Sequence, residues 1–171
     1  MSPGVSYTIA VANYNMADTL RRSLTSVLDQ VDDRFEVLVV DDGSTDESPE
    51  ILDDLSGEYD QLRWIRLEPD PSRHLGKTRN VSVEEAAGDH VILHLDADDE
   101  FPDGAIADLV AVYEKTREQR DDAFVLTAAG ATVAPRDFLL ELGPYRNLPV
   151  GGEDLDFWRR TFAEGTHIWI K

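Results

Sequence analysis

The sequence predicts an α/β fold in which a mostly parallel central sheet is flanked by helices. Three observations carry that expectation. Strand-like apolar runs alternate with amphipathic, helix-like stretches from Tyr7 to Leu95, the pattern of repeated β-α units. Apolar residues make up 42% of the 171-residue chain and are spread along it in short runs, which suits one compact domain, 1–171, around one core. Polar clusters fall directly after the strand-like runs, at the carboxyl edge where parallel sheets hold their ligands.

Tyr7 to Ala12 reads as the first strand, followed by a stretch in which Leu20, Leu24, Val27 and Leu28 share one helical face. Phe35 to Val40 is a near-continuous apolar strand ending in Asp41 and Asp42, after which Gly43 turns the chain and Ser48-Pro49 open a second helix. Leu62 to Leu67 alternates weakly as a third strand. Lys77 to Ala87 reads as a third helix stopped on its C-terminal side by Gly88, and His90 to Leu95 as a fourth strand. Strands joined through helices imply right-handed crossovers and hence parallel pairing.

There are 35 acidic residues against 16 basic ones, a formal charge of -19, and a field of that sign repels nucleic acid phosphates and anionic headgroups. Nucleic acid is therefore excluded as a partner. Lysine occurs only at Lys77, Lys115 and Lys171, and the carboxylates run through nearly every segment. That balance resembles proteins from salt-loving organisms, because near 1 M salt the Debye length falls to about 3 Å and self-repulsion is screened. The chain has no cysteine, so disulfides, thiolate metal sites and a cysteine nucleophile are excluded, and a metal would see oxygen or imidazole. No charged-then-apolar leader opens the sequence, and no run approaches the ~20 apolar residues that span a bilayer. The expected location is the cytoplasm, with any membrane contact peripheral.

Three clusters should converge on one rim: Asn13-Tyr14-Asn15, Asp41-Asp42 and Asp96-Ala97-Asp98-Asp99. Carboxylates crowded at one sheet edge repel one another unless a cation sits among them, and a hard divalent ion with oxygen ligands resolves that. Asp96 and Asp98, at i and i+2, can reach one ion. The plainer alternative makes these aspartates solvated turn formers or helix caps.

Val11-Ala12-Asn13-Tyr14-Asn15, Val39-Val40-Asp41-Asp42-Gly43-Ser44-Thr45-Asp46, Lys77-Thr78-Arg79-Asn80, Leu95-Asp96-Ala97-Asp98-Asp99 and the segment from Gly151 to Arg160 occur in that order. Together they resemble family 2 glycosyltransferases of the GT-A fold. The resemblance runs through about Asp103 and returns from Pro135 to Arg160, and the stretch between is shorter than the family usually has. It implies a nucleotide-sugar and metal-binding part at 1–103 and a shortened acceptor-side part at 104–171.

On the matching positions, the resemblance places Ala12, Asn13 and Tyr14 beside the nucleobase of the donor. Asp42 would accept a hydrogen bond from the base ring N–H, with Asp41 as neighbour or substitute, which favours a UDP- or GDP-sugar. Arg79 would reach base or phosphate, and Lys77 with the helix N-terminus would add positive character. Asp98 would be a direct ligand to Mn²⁺ or Mg²⁺, Asp96 would contact the donor ribose or the ion, and Asp99 would support them. Such an ion neutralises charge on a departing nucleoside diphosphate. Asp154 would be the general base in a direct displacement with inversion. Glu153 would lie at the substrate and, like Asp156, is a lesser candidate for the base. His167 offers a further metal ligand, since some related transferases draw one from a downstream histidine.

Competing patterns fail on particular residues. Gly76-Lys77-Thr78 looks like the end of a P-loop, but Pro71 stands where its first glycine belongs, and Phe101 stands where a calcium loop built on Asp96 needs glycine. His74, His90, His94 and His167 lack the i, i+4 spacing of a zinc protease, and His94 reads as strand packing. Glu153 to Asp156 also reads as an acidic first turn favoured by the helix dipole. The Gln-x-x-Arg-Trp element of processive synthases is absent, which favours single-sugar transfer. The acceptor, whether glycan, lipid-carrier or small molecule, and the oligomeric state are left open, and a non-catalytic or incomplete nucleotide-sugar-binding domain is the alternative.

Overall fold

The computed structural model describes residues 6–128, 130–143 and 145–170, and the His94 side chain lies outside what is described. The first part of the chain alternates as its hydrophobic pattern predicts: β1 (Tyr7–Asn13), α1 (Ala17–Leu28), β2 (Phe35–Asp41), α2 (Ser48–Glu58), β3 (Leu62–Arg66), α3 (Leu75–Glu85) and β4 (His90–Asp96). The rest forms α4 (Ala105–Arg117), β5 (Val125–Ala128), β6 (Ala131–Pro135), α5 (Arg136–Leu142), α6 (Glu153–Ala163) and β7 (His167–Ile170). One sheet takes the strands in the order β3-β2-β1-β4-β6-β5-β7. Its pairs are parallel except where β6 runs against β4 and β5. Among the described residues no helix is long and apolar enough to cross a membrane.

Alternation along the strands divides the core into two layers, because successive side chains point to opposite faces. Ile9 and Val11 of β1 pack with Leu20 and Leu24 of α1, Leu52 of α2 and Tyr113 of α4. Ala10 faces the other way, toward Val83 of α3, Leu139 of α5 and Phe157 of α6. Each fully buried Ile, Val, Leu or Phe among them contributes roughly 1.5–3 kcal/mol.

β4 breaks the alternation once. Against β1 its register runs Ile9↔Ile92 and then Val11↔Leu95, so it carries one extra residue between these points, the geometry of a β-bulge. Ile92, Leu95 and Ala97 all enter the α1/α4 layer. Asp96, between Leu95 and Ala97, therefore turns to the α3/α6 face; without the bulge it would share the face of Ile92.

The third helix starts at Leu75, two residues ahead of the expected Lys77, and ends at Glu85 with Ala86 already extended at φ -58°, ψ 133°. Gly88 is thus not the helix stop. A Cβ placed on it would lie 2.6 Å from the carbonyl carbon of Tyr7, and its N–H donates to Thr8 Oγ1 at 2.9 Å. Glycine is required there because the chain crosses β1 in backbone contact. Gly88→Ala should destabilise the fold by about 1–3 kcal/mol, the usual cost of overpacking, read as a lower urea midpoint; an unchanged midpoint would show that β1 yields freely.

Candidate active site

β1 lies between β2 and β4, and the chain lays β2 and β3 to one side of it before crossing to β4 on the other. That reversal opens a crevice beyond the carboxyl ends of the strands. Asn13 is level with Asp41, and Ala12 with Asp96, so the three polar clusters meet on one rim. A cavity of about 690 Å³ opens there, and Ala12, Asn13, Tyr14, Asp42, Asp96 and Asp98 all line it.

The loops after β1 and β2 hold each other. Asn13 Nδ2 donates to Asp41 Oδ1 at 2.7 Å and Ser44 Oγ at 3.2 Å. Asn15, in the left-handed region at φ 54°, accepts from the Thr45 N–H at 2.8 Å and donates its own N–H to Ser44 Oγ at 2.9 Å. Gly43 turns at φ +77°, as expected, and a Cβ there would press on Pro69 and Leu67. Between these cross-links Tyr14 stands out from the chain, 59% exposed on the wall of the cavity. Asp46 Oδ2 accepts the Ala17 N–H at 2.9 Å and so caps α1 from the neighbouring loop.

The Asp96-Ala97-Asp98 turn is set from below. Thr19 and Ser23 of α1 donate to the carbonyls of Ala97 at 2.9 Å and Asp96 at 3.2 Å. Ala97 is buried, which leaves Asp96 and Asp98 on the cavity side. Among the described residues, four carboxylates, Asp42, Asp70, Asp96 and Asp98, line the cavity against one guanidinium, that of Arg73. An anionic ligand would need a further cation in such a wall. Among the described residues no group of three or more His, Cys, Asp or Glu side chains could hold a metal alone. Asp96 and Asp98 nonetheless fit Mg²⁺ or Mn²⁺, since such ions are usually held by one or two carboxylates with water and substrate phosphates completing the shell.

Several expected site residues are placed elsewhere. Arg79 does not line the cavity: it is 7% exposed, with Nη2 on Asp96 Oδ1 at 2.6 Å and Nη1 on Glu153 Oε1 at 2.9 Å. Burial opposes its charge, but the carboxylates of Asp96 and Glu153 more than offset this and raise its pKa. Glu153 is correspondingly buried at the start of α6. Lys77 is exposed on α3, outside the cavity lining. Asp41 is fully buried, accepting from Asn13 and from the N–H and hydroxyl of Ser44, so it braces the loop while Asp42 faces the cavity.

Asp154 is half-buried in the first turn of α6 and does not line the cavity. Its Oδ1 accepts the Leu155 N–H at 2.7 Å. Of the three acids in that turn it is the one without an ion pair among the described residues, because Glu153 binds Arg79 while Asp156 binds Arg146 and Arg160.

His167 is not brought to the aspartates. Both ring nitrogens meet hydroxyls, Nε2 that of Thr127 at 2.9 Å and Nδ1 that of Thr161 at 2.7 Å, and burial lowers its pKa to about 4. Through the pairs Val125↔His167, Leu126↔Val133 and Ile92↔Val133 it is level with Val91. It therefore lies three strands and five residues from Asp96, roughly 14 Å across the sheet and 16 Å along it.

Arg73 and Thr78 were not picked out by sequence reasoning. Arg73 Nε meets Asp42 Oδ1, and Thr78 donates to Asp42 Oδ2 at 3.1 Å. Thr78 sits inside a segment already singled out. Arg73 lies between the third strand and helix, where no periodicity marks it.

Comparison with known proteins identifies the family and the fold. Residues 8–130 match Glycosyl transferase family 2. The chain is 34% identical over 110 residues to the teichoic acid poly(glycerol phosphate) polymerase of Staphylococcus epidermidis, covering 64% of this chain and 15% of that protein. It is 31% identical over 100 residues to the glycosyltransferase AglD of Haloferax volcanii, covering 56% of this chain and 16% of that one. The chain thus spans a small part of these relatives. Among solved structures, S. aureus TarS 1-349 in complex with UDP-GlcNAc superposes with a TM-score of 0.80 at 20% identity, over 96% of this chain and 56% of that one. The mannosyltransferase PcManGT of Pyrobaculum calidifontis in complex with GDP-Man and Mn²⁺ gives 0.79 at 20% identity, over 99% of this chain and 55% of that one. The fold is the GT-A fold, and the chain belongs to glycosyl transferase family 2.

Proposed function

We propose that this chain binds a UDP- or GDP-sugar with Mn²⁺ or Mg²⁺ and transfers one sugar, with inversion, to an acceptor hydroxyl deprotonated by Asp154. The observation that carries this reading is the pair Asp96 and Asp98 on the wall of a cavity that also holds Asn13, Tyr14 and Asp42. In this reading the exposed ring of Tyr14 stacks on the base, and Asp42, held by Arg73 and Thr78, accepts a base N–H. The ion, when bound, supplies charge neutralisation at the diphosphate. Asp96 and Asp98 orient it, while the apolar floor around Ala12 and Met16 excludes water from the base. In this reading 1–103 holds the donor and 104–171 borders an acceptor that is a glycan, a lipid-carrier or a small molecule. The nucleotide and metal complexes of the two structural neighbours support the donor class.

Calorimetric titration of UDP and GDP, with and without Mn²⁺, tests the proposal. One nucleotide should bind in a metal-dependent way, and Asp98→Ala should weaken that binding by at least about tenfold, roughly 1.4 kcal/mol. Binding of neither nucleotide in the presence of Mn²⁺ refutes the reading.

The acidic surface has its own proposal. A formal charge of -19 spread over nearly every segment adapts the fold to concentrated salt, where like charges are screened. The melting temperature should rise between 0.1 and 2 M KCl, by about 2–4 °C for each kcal/mol of repulsion removed. A flat profile would show that the carboxylates do not strain the native state.

A further inference from the structure

Three successive residues of α3 reach three separate parts of the site. Thr78 holds Asp42, Arg79 holds Asp96 and Glu153, and Asn80 exchanges two hydrogen bonds with the backbone of Tyr145 at 2.9 and 3.1 Å. The Tyr145 ring in turn lies 5.6 Å from the Arg79 guanidinium carbon. We infer that Arg79 is a positioning residue that couples the donor end of the site to its acceptor end, one guanidinium fixing Asp96 and the start of α6 relative to each other. The inference rests on the transferase reading above, and assigns Arg79 and Glu153 no contact with substrate.

The asymmetry between the two carboxylates carries the argument. Asp96 keeps 44% of its side chain exposed and lines the cavity, whereas Glu153 is 6% exposed and reaches nothing but the inside of the protein. Glu153 stands directly before Asp154. A shared, buried cation between them makes the orientation of one carboxylate depend on the other, because in a low-dielectric setting a change in one charge-assisted bond redistributes the rest. The bulge in β4 belongs to the same device, since it turns Asp96 onto the face where Arg79 waits. Arginine is required: its planar fork spans two carboxylates at once, while the point charge of lysine satisfies one geometry or the other.

The test uses the intact chain, Mn²⁺, and whichever of UDP and GDP the unaltered protein binds. Glu153→Gln, remote from the cavity, should weaken metal-dependent nucleotide binding roughly three- to tenfold. Arg79→Lys should weaken it at least as much, and adding Glu153→Gln to Arg79→Lys should add little, as expected of residues in one network. A pair that only stabilises the fold would lower the melting temperature and leave the dissociation constant unchanged; that result, with the unaltered protein binding normally, overturns this inference alone. Should Glu153→Gln fail to fold, Arg79→Lys, which retains the cation, carries the same comparison. Absence of metal-dependent binding by the unaltered protein overturns the transferase reading and this inference with it.

Discussion

Asp154→Asn is expected to lower the rate of sugar transfer by about 10²–10⁴-fold, the range that a positioned general base contributes, while leaving nucleotide affinity nearly unchanged. The substitution keeps the size and the hydrogen bond to Leu155 N–H but removes the group that takes the acceptor proton. Asp154 is favoured over its neighbours because a base must keep its lone pairs for substrate: Glu153 is held by Arg79 and Asp156 by Arg146 and Arg160. Turnover with each candidate acceptor is compared with nucleotide binding by calorimetry. A fall in kcat at constant donor KM marks an interaction made in the transition state. Activity equal to that of the unaltered chain refutes the assignment, whereas nucleotide binding with no turnover by either protein favours a non-catalytic nucleotide-sugar-binding domain.

Arg79→Met should cost about 3–5 kcal/mol of stability, the usual effect of removing one partner from a buried ion pair. Methionine fills much of the space, so the loss comes from charge. Water can reach Asp96, 44% exposed, but not Glu153 at 6%, which places the penalty on Glu153. Arg79→Met combined with Glu153→Gln should therefore recover more than half of the loss. Urea unfolding of the two variants measures both values. A loss below about 1 kcal/mol in the single variant would show that the α3/α6 layer relaxes around the unpaired acids.

The β-α succession was legible because hydrophobic period is a local property: the runs at Tyr7, Phe35 and His90 needed no knowledge of their partners. Convergence of Asn13, Asp42 and Asp96 on one rim was legible too, since residues that follow parallel strands must share the carboxyl edge. The last third was read less well. β5, β6 and β7 are four or five residues long, too short to show a period, and the antiparallel run of β6 depends on pairing across the sheet. His167 matched a downstream histidine by order alone, and strand register placed it level with Val91 instead.

The sequence by itself determined the first four strands and which carboxylates stand at their edge, because these follow from local pattern and chain order, and its ordered motifs carried the family resemblance. Tertiary structure decided what those carboxylates do. Whether Asp96 faces α1 or α3 hangs on one extra residue in β4, and Arg79, expected at base or phosphate, is held instead by Asp96 and Glu153. Residues 79, 96 and 153 are joined by no period or motif. They meet because three elements pack on one face of the sheet, where a buried charge is stable only beside its counter-charge.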